Sequence, residues 1–251
     1  DLAASNITAT SADISWTDSA ANAGTTEWEV SYGAPGFTAG SGTESFVSAA
    51  SASLSGLSGG TSYDVYVRAV CSVGDTSAWS SVLSFNTACI TYTAPYSMTF
   101  DVASNPACWT NAGGEVWQWQ TASGTGASTY ANTPGGGDHT GNGGAFAALD
   151  GSTSNPLPGA LATLTSPSID LSGLTTPRLR FYAFSNNTTF PGDNASFYAI
   201  VAGTTDTLVE YAGDNAAWVE LTGDLSAYAG QTIQIEIVGD HNTMTGSQFY
   251  N

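Results

Sequence analysis

The chain has 251 residues, which is long enough for two β domains that each bury a core. It carries 21 acidic residues against three arginines, for a formal net charge of -18, so nucleic acid and anionic membrane surfaces are excluded as partners. No apolar run approaches the roughly 20 residues of a membrane-spanning helix, so we expect no membrane insertion.

The acidity allows two interpretations. It is typical of an exported protein that stays soluble in salt, where the self-repulsion is screened. It would also suit divalent cations, if part of the acidic set binds a metal. The composition alone leaves both open.

The first 87 residues predict short strands joined by turns. Apolar and polar side chains alternate over residues 12–16 and 28–32. A longer strand is expected over residues 63–71, and a short one over residues 82–85. Seven short strands can be placed in this length, which is typical of an immunoglobulin-like sandwich.

Specific residues narrow this interpretation. Trp16, the pair Leu54 and Leu57 before a turn and Tyr63, and the alternating strand over residues 63–70 together resemble a fibronectin type III domain. The resemblance covers the whole segment 1–88. It implies that the leucine and the tyrosine lock a corner between two strands, and that the tryptophan fills the core.

The rest of the chain is also β-patterned, with a Gly-rich stretch over residues 124–144. Its length and pattern favour a larger antiparallel jelly-roll sandwich. The expected strands are residues 99–101, 107–110, 117–119, 145–149, 164–171, 178–184, 196–201, 218–221 and 232–238.

An ordered set of motifs in this second half resembles the bacterial, secreted form of the MAM domain. The most telling motif is Asp138-His139-Thr140 after the Gly-rich turn. The others are Phe100-Asp101, Cys108-Trp109, Trp117, Trp119, the segments 164–169 and 179–182, Trp218 and the segment 225–230. The family normally ends in an acidic, Ile-rich strand, so we expect domain 89–251 to lack its last strand.

The three cysteines include no Cys-x-x-Cys pair, so a zinc knuckle is excluded. In the expected sandwich, Cys71 and Cys89 lie at opposite poles, about 20 Å or more apart at a rise of about 3.3 Å per residue. We therefore expect Cys71 to pair with a cysteine before residue 1. By resemblance to the first disulfide of MAM domains, Cys89 and Cys108 could bridge each other; buried free thiols are the alternative.

Calcium is the candidate metal, because it takes roughly six to eight oxygen ligands of the kind that loops supply. The resemblance places Asp101 and Asp138 where MAM-like domains bring acidic groups to the end of the sheet. The alternative is that both are exposed or turn-capping aspartates. With His139 and His241 as the only histidines, a His-rich zinc centre is excluded.

No catalytic motif is present. Asp138 and His139 have no nucleophile sequence such as Gly-x-Ser-x-Gly to act with, and the loop around them is Gly-rich. A structural histidine is the expected role of His139. The sequence therefore predicts that this region is not an enzyme.

Carbohydrate binding is the alternative function. Jelly rolls can present aromatic platforms, here from Trp117, Trp119, Tyr182, Phe184 and Trp218, although core packing explains most of these residues. Tyr130, in a Gly/Ser/Thr loop, is the candidate glycan contact, because a core explains it least.

Short triplets match glycosylation acceptors. Asn187 and Asn194 begin N-linked acceptor triplets. Ser19 and Thr207 each follow an aspartate, which resembles the O-glycan acceptor of some exported bacterial proteins. Such triplets also arise by chance in Thr-rich chains.

These observations predict a non-catalytic adhesion or assembly module, stabilised by calcium, in a large secreted or cell-surface bacterial protein. The expected partners are neighbouring copies or domains of the same surface protein, or surface glycans. The alternative is a carbohydrate-binding accessory region of a secreted hydrolase.

Overall fold

The structure is a computed structural model that describes residues 1–18, 25–72, 74–100, 105–113, 117–121, 138–140, 144–150, 161–186, 196–212, 217–240 and 248–250. The chain forms two compact units, Asp1–Ile90 and Thr91–Asn251. The predicted boundary lay between residues 88 and 89. The described part of the chain contains no helix long and apolar enough to cross a membrane.

The first unit is all-β, which confirms the predicted fold class. Its strands form one sheet in the order β1-β2-β5 and another in the order β4-β3-β6-β7, with β8 also paired to β6. The strands are β1 Leu2–Ser5, β2 Ser11–Trp16, β3 Glu27–Gly33, β4 Thr43–Val47, β5 Ser51–Ser55, β6 Ser62–Ser72, β7 Asp75–Thr76 and β8 Leu83–Asn86.

Alternating side chains from both sheets make the core of this unit. Ile14 and Leu54 of the first sheet meet Val30 and Val65 of the second, and all four are buried. Alternate residues of a strand point to the same face of the sheet, so the apolar residues of the period-2 pattern pack together in this core. Each buried aliphatic side chain of this size contributes about 1.5–3 kcal/mol.

The corner between β5 and β6 has the predicted form. Leu57 is buried, and the backbone N–H of Ser58 donates to the Tyr63 hydroxyl oxygen over 3.0 Å. The Tyr63 ring stacks on Phe85, with centroids 5.9 Å apart. Gly56 has a φ of +72°, which a residue with a Cβ rarely adopts, so the turn favours glycine here.

The second unit is a β-sandwich with two five-stranded antiparallel sheets, in the orders β10-β13-β20-β16-β17 and β11-β12-β21-β15-β18, and a small sheet β19-β14-β9. Its strands are β9 Tyr92–Thr93, β10 Thr110–Gly113, β11 Gln118–Thr121, β12 Ala145–Asp150, β13 Leu161–Thr165, β14 Ile169–Asp170, β15 Arg178–Asn186, β16 Ser196–Val201, β17 Thr207–Ala212, β18 Val219–Asp224, β19 Thr232–Ile233, β20 Ile235–Asp240 and β21 Gln248–Tyr250, with a 3-10 helix at Ser226–Tyr228.

The core of the second unit is built from the inner faces of both large sheets. Ala147 and Ala183 come from one sheet, and Leu164, Ala199 and Ile237 from the other. Small alanines alternate with large aliphatic side chains, which lets the layers interdigitate. The two sheets therefore enclose one apolar cluster.

Two predicted strands are divided in the structure. The strand predicted over residues 164–171 is split between β13 and β14, because Pro167 has no N–H to donate to a ladder. The buried Ser166 hydroxyl oxygen there accepts the N–H of Ile235 over 2.8 Å. The strand predicted over residues 232–238 is correspondingly divided at Gln234 into β19 and β20, which belong to different sheets.

The strand predicted at residues 99–101 is absent at Thr99 and Phe100. Phe100 has a φ of +57°, in the left-handed region that interrupts a strand. Its ring instead packs edge-on against Trp109, with centroids 5.2 Å apart. Asp101, the third residue of that prediction, lies outside the described residues.

Candidate functional site

Asp138 is a buried carboxylate with one satisfied oxygen. The side chain is 7% exposed, and the Thr140 hydroxyl donates to its Oδ2 atom over 2.6 Å. The Oδ1 atom is also buried and has no hydrogen-bond partner among the residues that the structure describes. A buried oxygen of this kind is costly without a partner. A cation or a donor bound at Oδ1 would therefore be stabilising.

His139 lies against the second large sheet. Its exposed ring stacks nearly parallel on Tyr182 of β15, with centroids 3.4 Å apart and an interplanar angle of 16°. The Tyr182 hydroxyl donates to Glu220 Oε2 over 2.8 Å, and these residues are direct partners in the β15–β18 ladder. This hydrogen bond raises the pKa of Tyr182 above its ordinary value, because it holds the phenol proton.

Two arginines stand beside this stack. Arg178 and Arg180 alternate with inward-facing residues of β15, so they share the outer face of the sheet with Tyr182. Both are exposed, and they are the basic residues of the chain after position 88. Their ladder partners on β18 are Asp224 and Thr222.

We call this face the β15–β18 surface, made of His139, Arg178, Arg180, Tyr182, Glu220, Thr222 and Asp224. Hydrogen bonds from the Ser226 hydroxyl and N–H lower the pKa of Asp224, with a smaller contribution from Arg178. On this surface, positively and negatively charged side chains lie next to the stacked rings of His139 and Tyr182, on two hydrogen-bonded strands. Such a face can bind polar or charged partners by hydrogen bonds and ion pairs.

The predicted calcium ligands are only partly described. Asp138 has the geometry given above, whereas Asp101 lies outside the described residues. Within the described ranges, no three histidine, cysteine, aspartate or glutamate side chains lie close enough together to hold a metal ion.

Cys89 and Cys108 are both disulfide-bonded. Cys71, at the end of β6, is an exposed free thiol. The chain has three cysteines, so the two bonded residues pair with each other.

The aromatic residues considered for a glycan platform divide into two groups. Trp117 and Phe184 are 2% exposed, so neither can present a ring to a sugar. The Trp117 indole N–H donates to the carbonyl oxygen of Ala162 over 3.2 Å. Trp117 therefore packs in the main core, as expected, whereas Phe184 lies on the same face of β15 as Tyr182 and is buried in a separate cluster with Phe146 and Trp218. Tyr130 and the side chain of Trp119 lie outside what the structure describes.

Trp218 packs in a smaller cluster with Phe146 and Phe184. Its ring lies 6.1 Å from that of Phe146 and 5.8 Å from that of Phe184, centroid to centroid. The indole N–H of Trp218 is buried and has no hydrogen-bond partner in the described part of the chain. Trp218 therefore contributes apolar packing at this face.

Among the candidate glycosylation acceptors, Thr207 is exposed at the first position of β17. Ser19, Asn187 and Asn194 lie outside the described residues. Exposure makes the Thr207 hydroxyl accessible to a modifying enzyme.

Sequence reasoning missed a charged cluster in the first unit. Arg68 Nη2 lies 2.7 Å from Glu29 Oε2, and the Arg68 guanidinium carbon lies 4.4 Å from the centroid of the Trp79 ring. Glu29 is 4% exposed, although it occupies a polar position in the sequence pattern. Only a weak indication of this cluster was present in the sequence, namely that Arg68 is the one basic residue of residues 1–88.

The fibronectin type III domain model matches residues 1–86. This confirms the resemblance that Trp16, Leu57 and Tyr63 predicted for the first part of the chain. No curated protein matches the chain.

Three solved structures illustrate what the chain is similar to. The K1 cleaved adhesin domain of Lys-gingipain from Porphyromonas gingivalis W83 is 14% identical, with 61% of this chain and 92% of that chain covered and a TM-score of 0.44. The fn3 domain of the human collagen alpha-1(XX) chain is 21% identical, with 39% and 86% covered and a TM-score of 0.30. A structure described as a myokine is 22% identical, with 35% and 93% covered and a TM-score of 0.28.

Proposed function

Because residues 1–86 form a fibronectin type III domain, we propose that this protein is a non-catalytic adhesion or assembly module of a secreted or cell-surface bacterial protein. The observation that carries the proposal is this domain in tandem with a second β-sandwich unit. Domains of this family are typical of extracellular proteins. The Cys89–Cys108 disulfide supports the same location, since disulfides persist in oxidising compartments.

The second unit is proposed to be a MAM-like jelly roll. Support comes from its two five-stranded antiparallel sheets and from the Asp138-His139-Thr140 motif, which packs against the outer face of one sheet through His139. The β15–β18 surface is the proposed contact face, because it exposes charged side chains on a rigid sheet. Its proposed partners are neighbouring copies or domains of the same surface protein, or surface glycans.

The test measures binding of the immobilised protein to soluble copies of itself and to a glycan array. We expect Tyr182→Ala to weaken binding, because it removes the stacking partner of His139 and the hydrogen bond to Glu220. Glu210→Gln is the matched control, since Glu210 is exposed on β17 of the other sheet. Equal binding by the two variants would reject the β15–β18 surface. Absence of any binding would contradict the adhesion proposal itself.

A carbohydrate-binding accessory region of a secreted hydrolase is the second candidate. The exposed ring of His139 on Tyr182, beside two arginines, favours it, because sugars bind to flat rings flanked by hydrogen-bond donors. Selective glycan-array signals that are lost in His139→Ala or Tyr130→Ala would support this candidate. Self-association without glycan signals would support the assembly function.

Calcium is proposed as a stabilising ion of the second unit. The unpartnered Oδ1 atom of Asp138 fits a hard cation, since calcium binds carboxylate oxygens. Asp138 would hold the ion, and Asp101 is the proposed second ligand. Calcium would supply charge compensation and rigidity.

A further inference from the structure

A polar cavity of about 310 Å³ lies in the second unit where β16 ends. Its walls come from the end of β16, the turn that follows, the 3-10 helix, and β19 with the adjoining Gln234. The volume lies near the lower limit of the range of about 300–1,000 Å³ that small-molecule pockets occupy. The cavity therefore has room for a small ligand.

Backbone hydrogen bonds hold the walls of this cavity in place. The N–H of Ala202 donates to the carbonyl oxygen of Gln234 over 2.9 Å, which joins the end of β16 to the segment between β19 and β20. The N–H of Gln231 donates to the carbonyl oxygen of Tyr228 over 3.0 Å. Because these bonds are present without a ligand, binding does not have to order the walls.

The side chains around the cavity are uncharged. Among the described residues that line it there is no aspartate, glutamate or arginine, although the chain carries 21 acidic residues. A cavity without carboxylates is a poor site for a divalent cation, and an anion would be repelled by the net charge of -18. The cavity therefore favours a neutral ligand. Its polar side chains are Ser168, Thr204, Tyr228, Gln231, Thr232 and Gln234.

The hydrogen bonds made by these side chains leave acceptor oxygens available. The amide nitrogens of Gln231 and Gln234 donate to backbone carbonyl oxygens over 3.2 Å and 2.8 Å. Each amide keeps its own carbonyl oxygen as an acceptor. The Thr204 hydroxyl also donates to the backbone, over 2.8 Å, so its oxygen keeps a lone pair. A ligand with several hydroxyl groups would satisfy these oxygens.

The cavity also has an apolar part. Val201 and Ile233 line it and are buried. Tyr228 lines it with a half-buried side chain, whose hydroxyl donates to Asp206 Oδ2 over 3.4 Å. An aromatic ring beside hydrogen-bonding side chains is complementary to a sugar ring, which has an apolar C–H face and hydroxyl groups at its edge.

We propose that this cavity binds a single neutral sugar residue of a glycan. The sugar ring lies against Tyr228, and its hydroxyl groups donate to the side-chain oxygens of Gln231, Gln234 and Thr204. A sugar fits better than an apolar molecule, because an apolar molecule would leave these oxygens without water and without a partner. The site shares no residue with the β15–β18 surface, so the inference goes beyond the contact face proposed above and does not depend on it.

The test titrates the 251-residue protein with the methyl glycosides of glucose, galactose and mannose. Backbone amide chemical shifts in NMR spectra measure the affinity and locate the site. We expect saturable shifts with at least one of the three sugars at the amides of residues 201–204 and 228–234. Galacturonic acid is the charged control, and we expect it not to bind, because no cationic side chain among the described residues lines the cavity.

Substitutions in the cavity test the two kinds of contact. Gln231→Met removes an acceptor at an exposed position and is expected to weaken binding about tenfold. Tyr228→Leu removes the ring and should weaken binding about tenfold or more, whereas Tyr228→Phe keeps the ring and should retain most of the affinity. Glu210→Met is the matched control, since Glu210 is exposed on β17 and does not line the cavity. Thermal unfolding checks that each variant is folded.

Three outcomes would overturn the proposal. The first is the absence of saturable shifts with all three neutral glycosides. The second is equal affinity of Gln231→Met, Tyr228→Leu and the unchanged protein. The third is binding that is lost in His139→Ala and retained in Tyr228→Leu, which would assign the sugar to the β15–β18 surface and leave the carbohydrate-binding candidate in place. Self-association is measured without sugar, so the adhesion proposal is decided separately.

Discussion

The imidazole ring of His139 stacks on the phenol ring of Tyr182, with centroids 3.4 Å apart. The two residues are distant in sequence, and the stack brings the Asp138-His139-Thr140 turn onto the outer face of β15. Glu220 of the adjacent strand accepts a hydrogen bond from the Tyr182 hydroxyl. The turn, the two arginines and the acidic residues of β18 thereby form one surface.

This arrangement predicts a loss of stability in alkali. The hydrogen bond to Glu220 raises the pKa of Tyr182, so the folded state holds the phenol proton more tightly than the unfolded state. Its contribution is complete below the ordinary tyrosine pKa of about 10 and is lost as pH rises through the folded-state value. Urea unfolding between about pH 8 and about pH 11 measures this contribution. Tyr182→Phe should flatten this dependence; an unchanged slope would contradict the account.

We expect the carboxylate of Asp64 to make the stability of the fibronectin type III domain sensitive to acid. Hydrogen bonds from the Ser84 hydroxyl and from the Gly36 N–H lower the pKa of this carboxyl. The stabilisation is present above the ordinary aspartate pKa of about 3.9 and is lost as pH falls through the lower folded-state value. Asp64→Asn should be less stable near neutral pH and less sensitive to acid. Chemical unfolding of both proteins across the acid range checks this, with Glu44→Gln as an exposed control.

We expect removal of Arg68 alone to be more destabilising than removal of both charges of the Arg68–Glu29 ion pair. Arg68→Met leaves the buried Glu29 carboxylate without its partner and removes the contact with Trp79. We expect a loss of about 1–3 kcal/mol, below the value for a fully buried pair because Arg68 is partly exposed. Adding Glu29→Gln should recover part of this loss. If the double variant is less stable than Arg68→Met, the unpaired charge is not the cause.

Calcium should raise the melting temperature of the second unit. A ligand that binds only the folded state at 100 times its Kd adds about 2.7 kcal/mol of stability. Thermal unfolding with calcium, with magnesium and with EDTA measures the shift, and Asp138→Asn should abolish it. An equal shift in melting temperature with magnesium or plain salt would show that screening of the net charge of -18, and not a specific calcium site, causes the stabilisation.

Removal of the disulfide should destabilise the protein. Cys108→Ser opens the loop between Cys89 and Cys108, and closure of a loop of roughly this length contributes about 3 kcal/mol. Hydrogen exchange should then increase in residues 94–100. Cys71→Ser is the matched control, because Cys71 is an exposed free thiol. Equal stability of the two variants would contradict this role of the disulfide.

The sequence by itself determined the all-β class and the first domain. Period-2 alternation is a local property, so Ile14 and Val30 could be assigned to a core before their partners were known. The corner at Leu57 and Tyr63 was predicted from the resemblance to fibronectin type III domains, whose signature here joins residues close in the chain. Breaks in ladders were harder: Pro167 divided a predicted strand, and the φ of Phe100 ended another.

Only the tertiary structure decided which strands became neighbours. Strand pairing across long separations sets the register, and a shift of one residue would turn every side chain to the other face. That register places Tyr182 opposite Glu220 and Arg178 opposite Asp224, and it turns Phe184 into a buried cluster. It also places Leu179 and Phe181 of β15 beside an apolar cavity. These contacts join residues far apart in the chain, so alternation within single strands could not reveal them.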